Sequence, residues 1–253
     1  MVKMNKNSGY LKKIRLEKDK IESLENFPFN LPAVKNLDEL AFHPKVTYLI
    51  GENGSGKSTL LEAIASKLNI NAEGGSRNFN FTTRDSLSDL DKYLTLTKYP
   101  KHFKDAYFLR AESYFNVATE IERLDKEPGA GGKIITYYGG KSLHEQSHGE
   151  SFLALFLYRL FGQGVYLLDE PEAALSPARQ LAILARIHDL INLDAQFIIA
   201  THSPIIMSYP ESTIYEFSDT GIKEVKYEET QNYILMKNFI NNPGKFHEIL
   251  FKN

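Results

Sequence analysis

The chain has 253 residues, 42% hydrophobic and 25% charged, enough for one large α/β domain or two small ones and incompatible with a disordered or collagen-like chain. Its 30 Lys and Arg against 32 Asp and Glu leave a formal charge of −2, so no general field draws it to nucleic acid or an anionic membrane. Cysteine is absent, which removes disulfides, thiolate metal sites and a Cys nucleophile, and suits a cytoplasmic location.

The N-terminal stretch MVKMNKNSGYLKKIRLEKDK is polar and basic and lacks the apolar core of a secretory signal, so it is expected to stay in the mature chain. This basic start reads either as an edge strand protected by lysine or as a DNA-binding face. Lys45-Val-Thr-Tyr-Leu-Ile50 then reads as a β-strand, and Thr59 to Leu68 repeats its apolar residues at helical spacing. Between them lies Gly51-Glu52-Asn53-Gly54-Ser55-Gly56-Lys57-Ser58-Thr59, a full match to G-x-x-x-x-G-K-[ST] in its required strand–loop–helix setting. Such a loop turns backbone N–H groups inward around a phosphate, with the positive end of the following helix behind them. Lys57 is then expected to reach the β- and γ-phosphates and the Ser58 hydroxyl to sit on Mg²⁺.

Further on, Tyr107-Phe-Leu-Arg110-Ala-Glu112-Ser113 reads as a strand ending in polar residues. A polar loop, Tyr138 to Ser151, opens an apolar helix, and its Ser147 followed by Glu150 has the form of a capping box, which alone explains the pair. Phe152 to Leu168 is interrupted by Arg159, Gly162, Gln163 and Gly164 and is followed directly by acids, so it predicts a buried helix, a turn and a buried strand rather than a membrane span. That strand, Val165 onward, ends in Asp169-Glu170, the acidic partner a P-loop requires: Asp169 for Mg²⁺ and Glu170 to polarise the attacking water. A helix over Pro177 to Ile191 leads to Gln196-Phe-Ile-Ile-Ala-Thr-His202-Ser-Pro, which places His202 just past an apolar strand.

In order and spacing these segments resemble the ATP-binding cassette (ABC) ATPases, including their soluble chromosome-maintenance and double-strand-break-repair branch, and more closely small stand-alone bacterial ATPases. Ser147-His148-Gly149-Glu150 resembles the signature loop, with Gln146 and His148 in place of its usual leucine and first glycine and Glu150 as in the soluble branch. Ala173 to Pro177 resembles the loop after the second carboxylate, with Ser176 for its usual aspartate, and His202 resembles the switch histidine. The glutamine the family sets near Mg²⁺ has no direct counterpart, so the resemblance leaves Glu112 or Arg110 to substitute, and Arg77 sits where the soluble branch carries a nucleotide-touching arginine.

The fold this implies is α/β: a single P-loop NTPase domain over 1–253 with a mixed β core, an antiparallel N-terminal β region from about Tyr10 to Phe42, and a helical insertion over about 80–145. Helical segments near Ser86 to Tyr99 and Tyr114 to Asp125 would belong to that insertion, and 210–253 would form a C-terminal hairpin and helix. Too little chain lies between Thr59 and Ser147 for long coiled-coil arms, and too little after His202 for an appended nuclease.

The function implied is hydrolysis of ATP with Mg²⁺ by a head-to-tail homodimer, Ser147, Gly149 and Glu150 of one copy closing on nucleotide held by the other. Glu170, His202 and Lys57 would be catalytic, and Ser58 and Asp169 would hold the metal. Adenine would stack on Phe27, Phe29 or Phe42. The expected setting is a soluble module of DNA maintenance, repair or defence, with DNA or an unidentified protein as partner. The alternative is the ATP-binding subunit of a membrane transporter, since the chain has no transmembrane segment of its own.

Overall fold

The computed structural model describes residues 9–76, 88–126, 133–173 and 175–251; Arg77 lies outside them. In chain order the elements are β1 (Leu11–Leu16), α1 (Pro32–Lys35), β2 (Glu39–Ala41), β3 (Val46–Gly51), α2 (Lys57–Lys67), β4 (Gly75–Ser76), β5 (Leu94–Lys98) and β6 (Asp105–Arg110). There follow α3 (Tyr114–Lys126), α4 (His148–Ala154), β7 (Gly164–Asp169), α5 (Pro177–Asn192), β8 (Gln196–Ala200), β9 (Ser212–Ser218), β10 (Gly221–Val225), α6 (Gln231–Asn241) and α7 (Pro243–Leu250).

Seven strands form the main sheet in the order β10-β9-β3-β8-β7-β6-β4. The five inner strands run parallel, and β10 and β4 pair antiparallel at the two edges, so the core is mixed as the sequence implied. Strands β3, β7 and β8 are almost entirely buried and mostly apolar because helices cover both faces. Alternate side chains divide accordingly. Tyr48, Tyr107, Tyr166, Leu168, Phe197 and Ile199 pack with α3, α4 and α5 on one face, while Leu49, Phe108, Leu167 and Ile198 pack with α2 on the other.

The antiparallel N-terminal region is present as β2-β1-β5. The expected helix at Ser86 to Tyr99 is not: residues 89–93 make a short 3₁₀ turn and Leu94–Lys98 is a strand paired with β1. Leu94-Thr-Leu-Thr-Lys98 alternates with period two and carries two β-branched threonines, and β1 offers it an open edge. The helix expected at Tyr114 to Asp125 forms as α3. The hairpin near residue 215 forms as β9–β10, but β9 lies parallel to β3 inside the main sheet.

Two polar anchors tie these parts together. Gln196 is fully buried at the start of β8; its Oε1 accepts the N–H groups of Tyr10 (2.8 Å) and Leu11 (2.7 Å), and its Nε2 donates to the carbonyls of Leu11 and His43, both at 2.9 Å. At the far end of the sheet, α4 continues into one π-helical turn, Leu155–Arg159. Arg159 there forks onto Asp105 at 2.8 and 3.1 Å, and the Tyr166 hydroxyl donates to the same carboxylate at 3.0 Å. Arg186 of α5 donates to the carbonyls of Phe156 (3.0 Å) and Leu160 (3.1 Å), satisfying acceptors that the helix end leaves open. Helices α6 and α7 bury none of their residues.

Candidate functional site

The P-loop connects β3 to α2 at the carboxyl ends of the parallel strands, where β7 and β8 also finish. Backbone geometry dictates two of its glycines. Gly51 has φ +135°, and a Cβ there would lie 2.2 Å from the carbonyl oxygen of Phe217 on β9. Gly56, at φ +103°, is the N-cap of α2 and has no side chain with which to cap it. The N–H groups of the first turn, Lys57 to Thr59, therefore point into the loop without a side-chain cap, which suits a phosphate.

Lys57 is buried, and its ammonium donates to the carbonyls of Gly51 (2.9 Å) and Glu52 (2.7 Å) and to Ser55 Oγ (3.3 Å). Burial lowers its pKa, while Glu170, Asp169 and Glu172 pull it back up. The Ser58 hydroxyl donates to Asp169 Oδ1 at 3.0 Å. Asp169 ends β7, and burial pushes its carboxyl up to about 6 against the opposing pull of the Ser58 hydrogen bond and of Arg110. A hydroxyl and a buried, under-compensated carboxylate side by side are the donor set that Mg²⁺ takes when phosphate and water complete its shell. Among the described residues no group of three or more His, Asp or Glu gathers to hold a metal alone.

Glu170 follows at φ +50°, unusual for a residue with a side chain. Its N–H donates to Ala200 O (2.9 Å) and its carbonyl accepts from Ala173 N–H (3.1 Å), which hold it there. His202 lies in the loop after β8, its Nε2 3.7 Å from Glu170 Oε1. That nitrogen is buried and makes no hydrogen bond among the described residues, so its capacity for one is unused.

Two cavities flank the P-loop. One, about 250 Å³, is lined by Phe27, Leu31, Asn53, Gly54, Gly56 to Thr59 and Glu170; the other, about 510 Å³, includes Gly51 to Ser55, His202, Asp219 and Asn232. Of the three candidate adenine partners, Phe29 and Phe42 are core residues, whereas Phe27 is 61% exposed at the mouth of the smaller cavity. A larger cavity of about 770 Å³, with Lys104, Asp105, Tyr137 and Phe161 in its wall, lies at the opposite end of the strands.

Ser147, Gly149 and Glu150 line neither cavity beside the P-loop. They start α4, where Ser147 N–H (3.0 Å) and Oγ (2.8 Å) both donate to Glu150 Oε2, the capping interaction its spacing suggested. Those bonds hold the Glu150 carboxyl below its usual range. Arg110 sits opposite Asp169 in the β6–β7 register, its Nε 3.8 Å from Asp169 Oδ2, and it pairs with Glu62 at 2.5 Å and Glu112 at 3.0 Å. The structure thus sets Arg110, not Glu112, against the acidic strand end.

Two residues with no motif stand close to His202. Glu172 accepts its N–H, and Asn232 of α6 donates to its carbonyl. Glu172 lies two positions beyond Glu170 and carried a weak signal, a third acid in one turn; Asn232, 30 residues downstream, carried none.

Comparison with known proteins places the matches on these same segments. The family description "AAA domain, putative AbiEii toxin, Type IV TA system" matches residues 136–208, and "P-loop containing region of AAA domain" matches residues 29–85. The ABC transporter G family member STR2 of Medicago truncatula is 25% identical over 181 residues, which cover 66% of this chain and 25% of the plant protein. The chain thus spans a quarter of that relative's length. An ABC transporter ATP-binding protein of Caldanaerobacter subterraneus is 29% identical over 206 residues, 73% of this chain and 82% of the relative. An uncharacterized ABC transporter ATP-binding protein of Methanocaldococcus jannaschii is 26% identical over 240 residues, 81% of each chain. With a P-loop on β3, an acidic end on β7 and a histidine past β8 of a mixed sheet, the chain is similar to the ABC-type P-loop ATPases in both sequence and layout.

Proposed function

We propose that this chain binds ATP with Mg²⁺ at its P-loop and hydrolyses it to ADP and phosphate, closing on the nucleotide as a head-to-tail pair with a second copy. The observation that carries the reading is the Ser58–Asp169 contact at 3.0 Å, with Lys57 buried beside it and the uncapped start of α2 behind. Loop residues Gly51 to Thr59 would cradle the phosphates, Lys57 would exchange its loop carbonyls for β- and γ-phosphate oxygens, and Phe27 would stack on adenine. Mg²⁺, held by Ser58 and Asp169, would supply charge neutralisation on the phosphate oxygens.

Glu170 then accepts a proton from a water aligned for in-line attack on the γ-phosphorus, and the vacant His202 Nε2 orients that water or the γ-phosphate. Ser147, the Gly149 N–H and Glu150 act on the nucleotide of the other copy, which agrees with their absence from the walls of this copy's site. Arg77 would contribute a further nucleotide contact. Release of phosphate from ATP, measured on the purified protein with Mg²⁺, tests the reading. Lys57→Ala should lower turnover about 100-fold or more, the scale seen when a donor to developing charge is lost. Parent protein that neither retains ATP nor releases phosphate overturns it.

For the process driven, the reading is a cytoplasmic module of DNA maintenance, repair or defence, supported by Glu150 in the signature loop. The likeness to ABC transporter ATP-binding proteins supports a second reading, the ATP-binding subunit of a transporter. The 770 Å³ cavity, with Leu124, Ile134, Tyr137 and Phe161 in its wall, offers an apolar seat for a partner's helix. Turnover stimulated by DNA with a steep salt dependence supports the first, and co-purification with a membrane permease supports the second.

A further inference from the structure

The loop that carries His202 is not held by secondary structure. Residues 201–203 belong to no helix or strand, yet the ring at 202 must be placed to a fraction of an ångström if it is to meet a water or a γ-phosphate. Both polar backbone groups of His202 are secured by side chains. Its N–H donates to Glu172 Oε1 at 2.6 Å, and the next N–H, that of Ser203, donates to the same oxygen at 3.2 Å. Its carbonyl accepts from Asn232 Nδ2 at 2.5 Å.

Glu172 itself stands in the turn that begins at Glu170, where its carbonyl accepts Leu175 N–H at 2.9 Å. Resting on the proposed hydrolysis, we infer that Glu172 is a positioning residue for it, its carboxylate locking the switch loop to the turn that bears the general base so that His202 and Glu170 move as one unit. The His202 N–H makes the short bond to this carboxylate oxygen, and the Ser203 N–H is shared between it and Thr201 Oγ1 at 3.0 Å. The other oxygen, Oε2, is buried without a hydrogen bond. Asn232 completes the clamp from the opposite side and belongs to α6, so the last helices of the described chain are also tied to the histidine.

The consequence is a residue that touches neither nucleotide nor water but sets the rate. Misplacing a reacting group by about 1 Å costs on the order of 100-fold, so Glu172→Ala should lower kcat about 10- to 100-fold while half-saturation by ATP stays within about two-fold. Glu172→Gln keeps an acceptor oxygen at the same reach and should restore most of kcat. Glu172→Asp, one methylene short, should behave like alanine even if the alanine variant proves unstable. Asn232→Ala should lower kcat less, about three- to ten-fold.

Because Glu172 acts through His202, the two losses should not add. In a His202→Ala background, Glu172→Ala should reduce the residual rate by less than about two-fold. Phosphate release and fluorescent-ATP binding on the full chain, with melting temperatures as a check on folding, read all of these together. Glu172→Ala with parental kcat, glutamine no better than alanine or aspartate, or full additivity with His202→Ala overturns the inference while leaving the ATPase reading standing. Parent protein without turnover defeats both.

Discussion

Arg110 puts a cation where the family resemblance leads one to look for an amide. Its guanidinium lies between Glu62 of α2 and the acidic end of β7, with Glu112 at the rim. A buried carboxylate already held up by burial depends on that charge. Arg110→Ala should therefore destabilise the nucleotide-free protein by about 2–3 kcal/mol, since it removes the guanidinium's ion pairs with the largely buried Glu62 and Asp169. Urea unfolding measures this, and a loss under about 0.5 kcal/mol would mean that water already screens the cluster. The P-loop, Asp169 and Glu170 were legible because their chemistry is local: consecutive residues turn one stretch of backbone into a cradle or end one strand in acid. Asn232 was not, and the choice between Arg110 and Glu112 stayed open, because what they touch is set by strand register and by a helix packed from far along the chain.

At the scale of elements, periodicity marked most helices and buried strands, and it failed where pairing outside the segment decided the outcome. Leu94 to Lys98 is a strand because β1 lies open beside it, and β9 joins the main sheet because β3 offers an edge. Gln196 shows how the two sheets are kept in register. One side chain satisfies four backbone groups from Tyr10, Leu11 and His43, contacts no single-strand pattern announces. Gln196→Leu fits the volume but orphans those groups, and it should cost about 3 kcal/mol. Thermal unfolding should show the loss, with hydrogen exchange rising first at Tyr10 and Leu11; exchange unchanged there would place the anchor elsewhere.

For the molecule as a whole, the proposed mechanism would have the phosphate cradle of one copy meet the signature loop of a second. The protein should sediment as a monomer or weak dimer without nucleotide, and Glu170→Gln, which binds ATP but cannot deprotonate the water, should sediment as a stable dimer with ATP and Mg²⁺. A variant that stays monomeric at saturating ATP would rule out the paired mechanism.

The Arg159–Asp105 fork and the two Arg186 bonds fasten one end of α4 to the foot of the sheet, while Ser147 sits at the other end. From His148 to Arg159 is about 18 Å of helix, so a tilt of about 10° at the fastened end would swing the far tip about 3 Å. In the proposed pair, a lever of that length, pivoting on a guanidinium, would let the tip engage or leave the other copy's nucleotide without breaking a rung of the sheet.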